Sequence, residues 1–104
     1  MNKELFLQNL ANTPYLTKIT KQVYLNNLKL VFNLFTLNEL FTYPKQICRA
    51  LVDKYSFSTA IRIIGSILSF IKYNPYLIKN YSQEMLLYRD IYFDLEFDLH
   101  RVEF

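Results

Sequence analysis

The chain has 104 residues, enough for one domain with a buried core, and its 52% hydrophobic share argues against disorder. One glycine and three prolines leave little material for the tight turns of an all-β fold, so the composition predicts helices joined by short loops. A single cysteine excludes an intramolecular disulfide. The most apolar window, residues 63–71, is too short for a membrane span of about 20 residues, so we expect a soluble intracellular protein without membrane partners.

The net charge of +3 is unevenly distributed along the chain. Residues 1–80 contain ten Lys or Arg and three acidic residues, a balance of +7, whereas residues 81–104 contain two Arg and six acidic residues, a balance of −4. A basic body suits a polyanionic partner. We therefore predict a helical domain over 1–80, and an acidic C-terminal helix or linker over 81–104 that packs on it.

Two helices are predicted in the first third of the chain. The first covers 3–11 and is ended by the turn that contains Pro14. The second runs from Thr17 or Thr20 to about Phe35, and its wide apolar surface predicts a position near the middle of the domain. Its remaining polar positions form one narrow strip, made of Gln22, Asn26, Lys29 and Asn33.

A connector over 36–43 is expected to insert apolar side chains into the core before the next helix. Pro44 suits the first position of that third helix, which is predicted to run to Lys54, because a missing N–H has no cost there. Its buried stripe includes Cys48.

The fourth predicted helix, 58–74, is the most clearly amphipathic segment. Ser58 is predicted as its N-cap, and Asn74-Pro75 as its end. One face is apolar and should be buried. The opposite face carries small hydroxyl residues, two cations and the only glycine, a composition that lets a backbone or a phosphate come close. Residues 76–81 are expected to form a loop or a single helical turn.

A last helix is predicted from Ser82 towards residue 101. The segment 93–100 also alternates strictly between apolar and polar residues, which is a strand pattern, but no second convincing strand exists to pair with it. A helix is therefore favoured. It leaves Phe93, Phe97 and Phe104 off the core face, where they suggest a docking surface.

Residues for catalysis are scarce. His100 is the only histidine and Cys48 the only cysteine, so no zinc set is expected, and a buried structural role is favoured for Cys48 over a Cys48–His100 dyad. Asp90, Asp94 and Asp98 recur every four residues, which on a helix usually marks a solvated face. We predict a non-enzyme without cofactors.

The order of these elements resembles the N-terminal core-binding (SAM-like) domain of tyrosine recombinases, the phage-integrase group. The resemblance covers about residues 4–76. It is carried by FLQNL, then YLTKITKQVYLNNLKLVFNLF, then the Pro-initiated PKQICRALVDKY, and finally SFSTAIRIIGSILSFIKYNP. It implies an all-α, compact four-helix orthogonal bundle that clamps one face of a DNA duplex, here followed by the C-terminal helix.

In that family the second and fourth helices approach the DNA, and the resemblance implies the same for this chain. The implied contacts on the second helix are Lys18, Lys21, Gln22, Asn26 and Lys29. Those on the fourth are Ser58, Thr59, Arg62, Ser66, Ser69, Lys72 and Tyr73. We expect the two sets to share one outer wall, on which Lys and Arg neutralise phosphates while Gln22, Asn26 and Arg62 reach base edges.

The chain departs from the family in two respects. The family's catalytic Arg, His and Tyr belong to a second domain that does not begin within these residues, and the acidic C-terminal segment is unlike a DNA-contacting surface. The resemblance therefore implies a DNA-binding module that works beside a separate catalytic domain, in a cytoplasm, nucleoid or nucleus. The alternative is a small helical interaction protein that self-associates through Phe93, Phe97 and Phe104. A surface that binds anionic membranes is less favoured, because the apolar helix faces are needed for the core.

Overall fold

The computed structural model describes residues 2–102, with side chains described for residues 2–100. Seven helices follow one another: α1 Lys3–Ala11, α2 Lys18–Leu34, α3 Leu37–Thr42, α4 Pro44–Lys54, α5 Phe57–Lys72, α6 Pro75–Asn80 and α7 Ser82–Val102. Within residues 2–102 there is no strand, which confirms the predicted all-α class and the helix over the alternating segment.

Helix α5 is the centre of the bundle and packs against α1, α2, α4, α6 and α7. Its predicted apolar face is buried, apart from the half-buried Leu68. The structure adds one polar residue to this buried face, Ser66, which is fully enclosed. Because α5 contacts five other helices, more of its surface is covered than its apolar face alone. Ser66 lies at the edge of that face and is covered with it.

The start of α5 differs from the prediction. Ser58 was predicted as the N-cap, but Ser56 has that role: its Oγ accepts a hydrogen bond from the Thr59 N–H at 3.4 Å, with Ser56 in an extended conformation. Ser58 instead lies in the first turn of the helix. The two serines are only two residues apart, and starting at Phe57 lets α5 follow directly on the C-cap of α4 at Tyr55.

Two short segments are more helical than predicted. The connector over 36–43 contains α3, which begins with a capping box: Glu39 N–H donates to the Thr36 hydroxyl and Thr36 N–H donates to the Glu39 carboxylate. Its apolar residues enter the core as expected. The segment after Asn74 forms α6, one and a half turns long, with Pro75 at its first position.

Helix α2 lies at the side of the bundle, so the prediction that it sits near the middle is wrong. It packs on α5 and α1, and only Leu28 and Val31 are buried. Ile19, Val23 and Leu30 are exposed even though they belong to its wide apolar surface. Hydrophobic periodicity gave the correct bounds of the helix, but the number of neighbours decides how much of its surface is covered.

Helix α7 is joined to the core by Tyr88, which is fully buried and donates from its hydroxyl to the Leu40 carbonyl at 2.6 Å. In a continuous helix the N–H of residue 44 would donate to the Leu40 carbonyl, but Pro44 has no N–H. Tyr88 therefore supplies the hydrogen bond that Pro44 cannot. It connects α7 to the junction between α3 and α4.

Asn74 performs a similar role between α5 and α1. It is fully buried, and its Nδ2 donates to the carbonyls of Phe70 (2.7 Å) and Phe6 (3.0 Å) while its Oδ1 accepts from Asn9 Nδ2 (2.9 Å). The side chain therefore uses both donors and an acceptor, as a buried amide must.

Candidate nucleic-acid interface

The outward face of α2 carries the α2 strip, which we define as Lys18, Gln22, Asn26 and Lys29. All four side chains are exposed. Gln22 Nε2 donates to Asn26 Oδ1 at 3.0 Å, so the two amides are joined one turn apart and flanked by a lysine on either side. Lys18 and Lys29 are separated by about 16 Å along the axis at 1.5 Å per residue. Lys21, also predicted as a contact, is half-buried.

The polar face of α5 forms the floor of a groove of about 600 Å³ between α2 and α7, here called the central groove. It is lined from α2 by Val23, Tyr24 and Asn27, from α5 by Ile61, Arg62, Gly65, Ser66, Leu68, Ser69 and Lys72, and from α7 by Met85, Arg89 and Tyr92. Most of this lining is apolar. Its charged members among the described residues are all cationic.

Four of the residues predicted on α5 line the central groove: Arg62, Ser66, Ser69 and Lys72. Arg62 and Lys72 are exposed, and Lys72 Nζ lies 5.4 Å from the centre of the Tyr73 ring. Ser58 and Thr59 lie in the first turn of the helix, where Thr59 Oγ1 accepts from the Ser56 hydroxyl at 2.9 Å. Tyr73 is the half-buried C-cap.

Ser66 does not face an outer surface. Its hydroxyl donates to the Arg62 carbonyl at 3.0 Å and accepts from Asn27 Nδ2 at 2.9 Å, with no exposed area. Both hydrogen-bonding capacities are therefore used inside the domain, where they join α5 to α2. We leave Ser66 out of any contact surface for an external ligand.

The predicted residues of α2 and α5 do not share one wall. The α2 residues beside Arg62 in the central groove are Val23, Tyr24 and Asn27, whereas the α2 strip turns away from it. At 100° per residue, the exposed Ile19 and Leu30 fall between the strip and Val23 at the edge of the groove. An apolar stripe thus separates the two sets, and the expected single wall consists of two adjacent polar surfaces.

The charged residues of α2 and α5 are all positive. Together they carry five cations, Lys18, Lys21, Lys29, Arg62 and Lys72, and no Asp or Glu. Among the described residues none of the five has a carboxylate within 4.0 Å, whereas Arg89 of α7 pairs with Asp90. These positive charges are therefore not neutralised within the domain and are available to an external anion.

Gly65 is used for close packing, not for the approach of a phosphate. A Cβ at this position would lie 3.1 Å from the Tyr92 ring, so the glycine lets α7 come close to α5. The sequence correctly indicated that something approaches this face of the helix. The approaching group is a side chain of α7, because the apolar stripe of α7 reaches across to α5.

Arg89 is the charged lining residue that the sequence did not predict. Arg89 belongs to the acidic C-terminal segment, but its side chain brings a third cation to the central groove beside Arg62 and Lys72. The available signal was its place four residues after Met85 and three before Tyr92, which puts all three on one side of α7.

Cys48 is buried, as predicted, and burial raises the pKa of its thiol to about 12. The thiol is therefore protonated at neutral pH and unsuited to nucleophilic chemistry. His100 is exposed near Glu96, with the two side chains 3.9 Å apart. Phe93 and Phe97 are exposed, at 57% and 66%, as predicted; Phe104 lies outside the described residues.

No family model, curated protein or solved structure matches this chain. The resemblance to core-binding domains therefore stays a prediction. Residues 2–102 contain no helix with both the length and the apolar character required to cross a bilayer. The described residues also contain no group of three or more His, Cys, Asp or Glu side chains placed to hold a metal ion.

Proposed function

We propose that this chain is a DNA-binding module of the tyrosine-recombinase core-binding type, which holds duplex DNA beside a separate catalytic domain. The observation that carries the proposal is the charge of α2 and α5, which hold five cations and no acidic residue, and none of the five pairs with a carboxylate of the described residues. A surface with unneutralised cations on adjacent helices is the electrostatic footprint of a polyanion site. Such a role implies a location where DNA is present, in a cytoplasm, nucleoid or nucleus.

The α2 strip is the part that reads the duplex in this proposal. An α-helix fits the major groove, and Gln and Asn side chains pair with adenine through its N6 and N7 atoms. Gln22 and Asn26 stand in the middle of the strip, with Lys18 and Lys29 placed to contact phosphates on either side. The exposed Ile19 alongside suits contact with a thymine methyl group.

The central groove has a separate part in the proposal. Arg62 and Lys72 lie at its exposed margin on α5, across the apolar stripe from the α2 strip, and contribute phosphate contacts of their own. The apolar lining of the groove has no role in DNA binding. The chain itself is proposed to be non-catalytic, which agrees with the raised pKa of the Cys48 thiol.

The test compares two paired alanine variants with a control of equal charge change. Lys18→Ala with Lys29→Ala should weaken duplex binding by about 10- to 100-fold at low salt, because each removes a phosphate contact. Arg62→Ala with Lys72→Ala should weaken it less. The control, Lys45→Ala with Arg49→Ala, removes two exposed cations of α4 and should change affinity by less than about threefold.

Fluorescence anisotropy with a labelled duplex measures all three variants. Wild-type protein that does not bind at low salt, or a control that loses as much affinity as the α2 variant, contradicts the proposal. In the second case binding would depend on net charge alone and not on the surface of α2 and α5.

Self-association is a second candidate function, and the exposure of Phe93 and Phe97 favours it. Both rings lie on one face of α7, one turn apart and beside acidic side chains. Two exposed phenyl groups on a long helix make a contact surface for another protein chain. In this candidate function the partner is another protomer, which meets the C-terminal helix.

A further inference from the structure

Two surfaces of the molecule are complementary and lie outside the α2 strip, the part proposed to read the duplex. One is the central groove, with an apolar lining and the cations Arg62, Lys72 and Arg89. The other is the acidic face of α7, which we define as Leu86, Asp90, Phe93, Asp94 and Phe97, all exposed. At 100° per residue these five positions fall within about a third of the helix circumference.

Charge and chemistry match between the two surfaces. The groove offers the cations Arg62 and Lys72 among apolar side chains, together with Arg89, which contacts Asp90 of its own chain at 3.2 Å; its described lining residues include no carboxylate. The acidic face offers two carboxylates among three large apolar side chains. Oppositely charged patches of this kind fix the register of an interface, while the buried phenyl groups supply most of its binding energy.

The lengths match as well. The groove extends along α5 from Arg62 to Lys72, about 15 Å at 1.5 Å per residue. The acidic face extends along α7 from Leu86 to Phe97, about 16 Å by the same measure. The groove is therefore as long as about three turns of helix, which is the length of the part of α7 that carries the exposed apolar side chains.

We propose that the central groove receives the acidic face of α7 from a second copy of this chain. Because every copy has one groove and one acidic face, a two-fold arrangement satisfies both at once and closes as a dimer. The two α7 helices lie side by side between the two α5 helices. This inference rests on the second candidate function, self-association, and does not use the α2 strip; in the dimer Arg62 and Lys72 contact the partner copy instead of phosphates.

Charge exchange provides the decisive experiment. A face-reversed variant carries Asp90→Lys and Asp94→Lys, and a groove-reversed variant carries Arg62→Glu and Lys72→Glu. All four positions are exposed, so both variants should fold like the wild type by circular dichroism. In a dimer of either variant alone, like charges face each other at both contacts. The dimerisation constant of each variant should therefore be at least about 100-fold weaker than that of the wild type.

Mixing the two variants should restore the dimer. In the mixed pair the reversed face meets the reversed groove, and the unchanged face meets the unchanged groove, so both contacts are again attractive. Sedimentation velocity from micromolar to submillimolar concentration measures this. Phe97→Asp should also give a monomer, whereas Tyr15→Asp, which changes another exposed aromatic residue outside both surfaces, should leave the wild-type dimer intact.

Three results would overturn the inference, and they differ in what they leave standing. A wild-type protein that stays monomeric rules out self-association itself. Reversed variants that remain dimeric leave self-association in place but exclude the groove as its site. A mixture that stays monomeric, when each variant folds and the wild type dimerises, shows that the face and the groove do not meet.

Discussion

At the scale of single residues, this fold depends on a few buried polar side chains whose partners are distant in sequence. Asn74 joins α1 to the end of α5, and Ser66 joins α5 to α2. The sequence showed that Asn74 ends a helix, because Pro75 follows it, but gave no sign that its amide is buried. Such a role depends on residues 65 or more positions away, which local pattern cannot reveal.

Replacement of Asn74 by Ala should lower the free energy of unfolding by about 2–4 kcal/mol, because it leaves buried carbonyls and the Asn9 amide without their partner. Asn80 provides a matched control. Its Nδ2 donates to the Tyr76 carbonyl four residues earlier at 2.8 Å, the same local bond that Asn74 makes to Phe70, but at an exposed site. Asn80→Ala should cost less than about 0.5 kcal/mol in urea unfolding. Equal losses in the two variants would refute the role assigned to Asn74.

The buried thiol of Cys48 makes stability depend on alkaline pH. Its folded-state pKa, about 12, is above the unfolded value near 9, so the unfolded chain loses this proton first as the pH rises. The free energy of unfolding is not lowered by this group below pH 9, and it falls between pH 9 and 12 because only the unfolded chain ionises there. Across that range the wild type should lose about 1.4 kcal/mol per pH unit more than Cys48→Ala. Denaturant unfolding at several pH values measures this difference, and parallel pH profiles would contradict it.

At the scale of elements, the sequence predicted which segments are helical better than the residue at which each helix begins. Residues 3–11 and 44–54 have the predicted bounds, because Pro14 and Pro44 restrict where a helix can end or begin. The start of α5 was two residues late, since either serine can cap. Helix α3 was missed although Thr36 and Glu39 have the spacing of a capping box, a signal that was present in the sequence.

Helix α7 should depend on one hydrogen bond for its attachment to α3. Tyr88→Phe removes the donor to the Leu40 carbonyl, which has no helical donor at Pro44, and should cost about 1–3 kcal/mol of unfolding free energy. Tyr92→Phe makes the same chemical change one turn later, where the side chain is only half-buried, and should cost less than about 0.5 kcal/mol. A ranking in the opposite order, measured by urea unfolding, would show that Tyr88 acts through packing alone.

At the scale of the whole molecule, the division of charge along the chain has a counterpart in space. The basic residues of α2 and α5 remain unneutralised although α7 packs on α5, because the acidic side chains Asp90 and Asp94 of α7 are exposed and make no ion pair with α2 or α5. The sequence predicted both polarities and most of the exposed cations. It did not predict the apolar stripe between the two polar surfaces, since that depends on how α2 is rotated against α5.

The salt dependence of duplex binding tests the central claim most directly. If α2 and α5 bind DNA through phosphates, the logarithm of the association constant should fall linearly with the logarithm of salt concentration, with a slope of about −0.9 for each phosphate contact. Lys18→Ala with Lys29→Ala should make that slope shallower by about 2, and the α4 control should leave it unchanged. A slope that is the same in the wild type and in the α2 variant would contradict the proposal that this surface binds DNA.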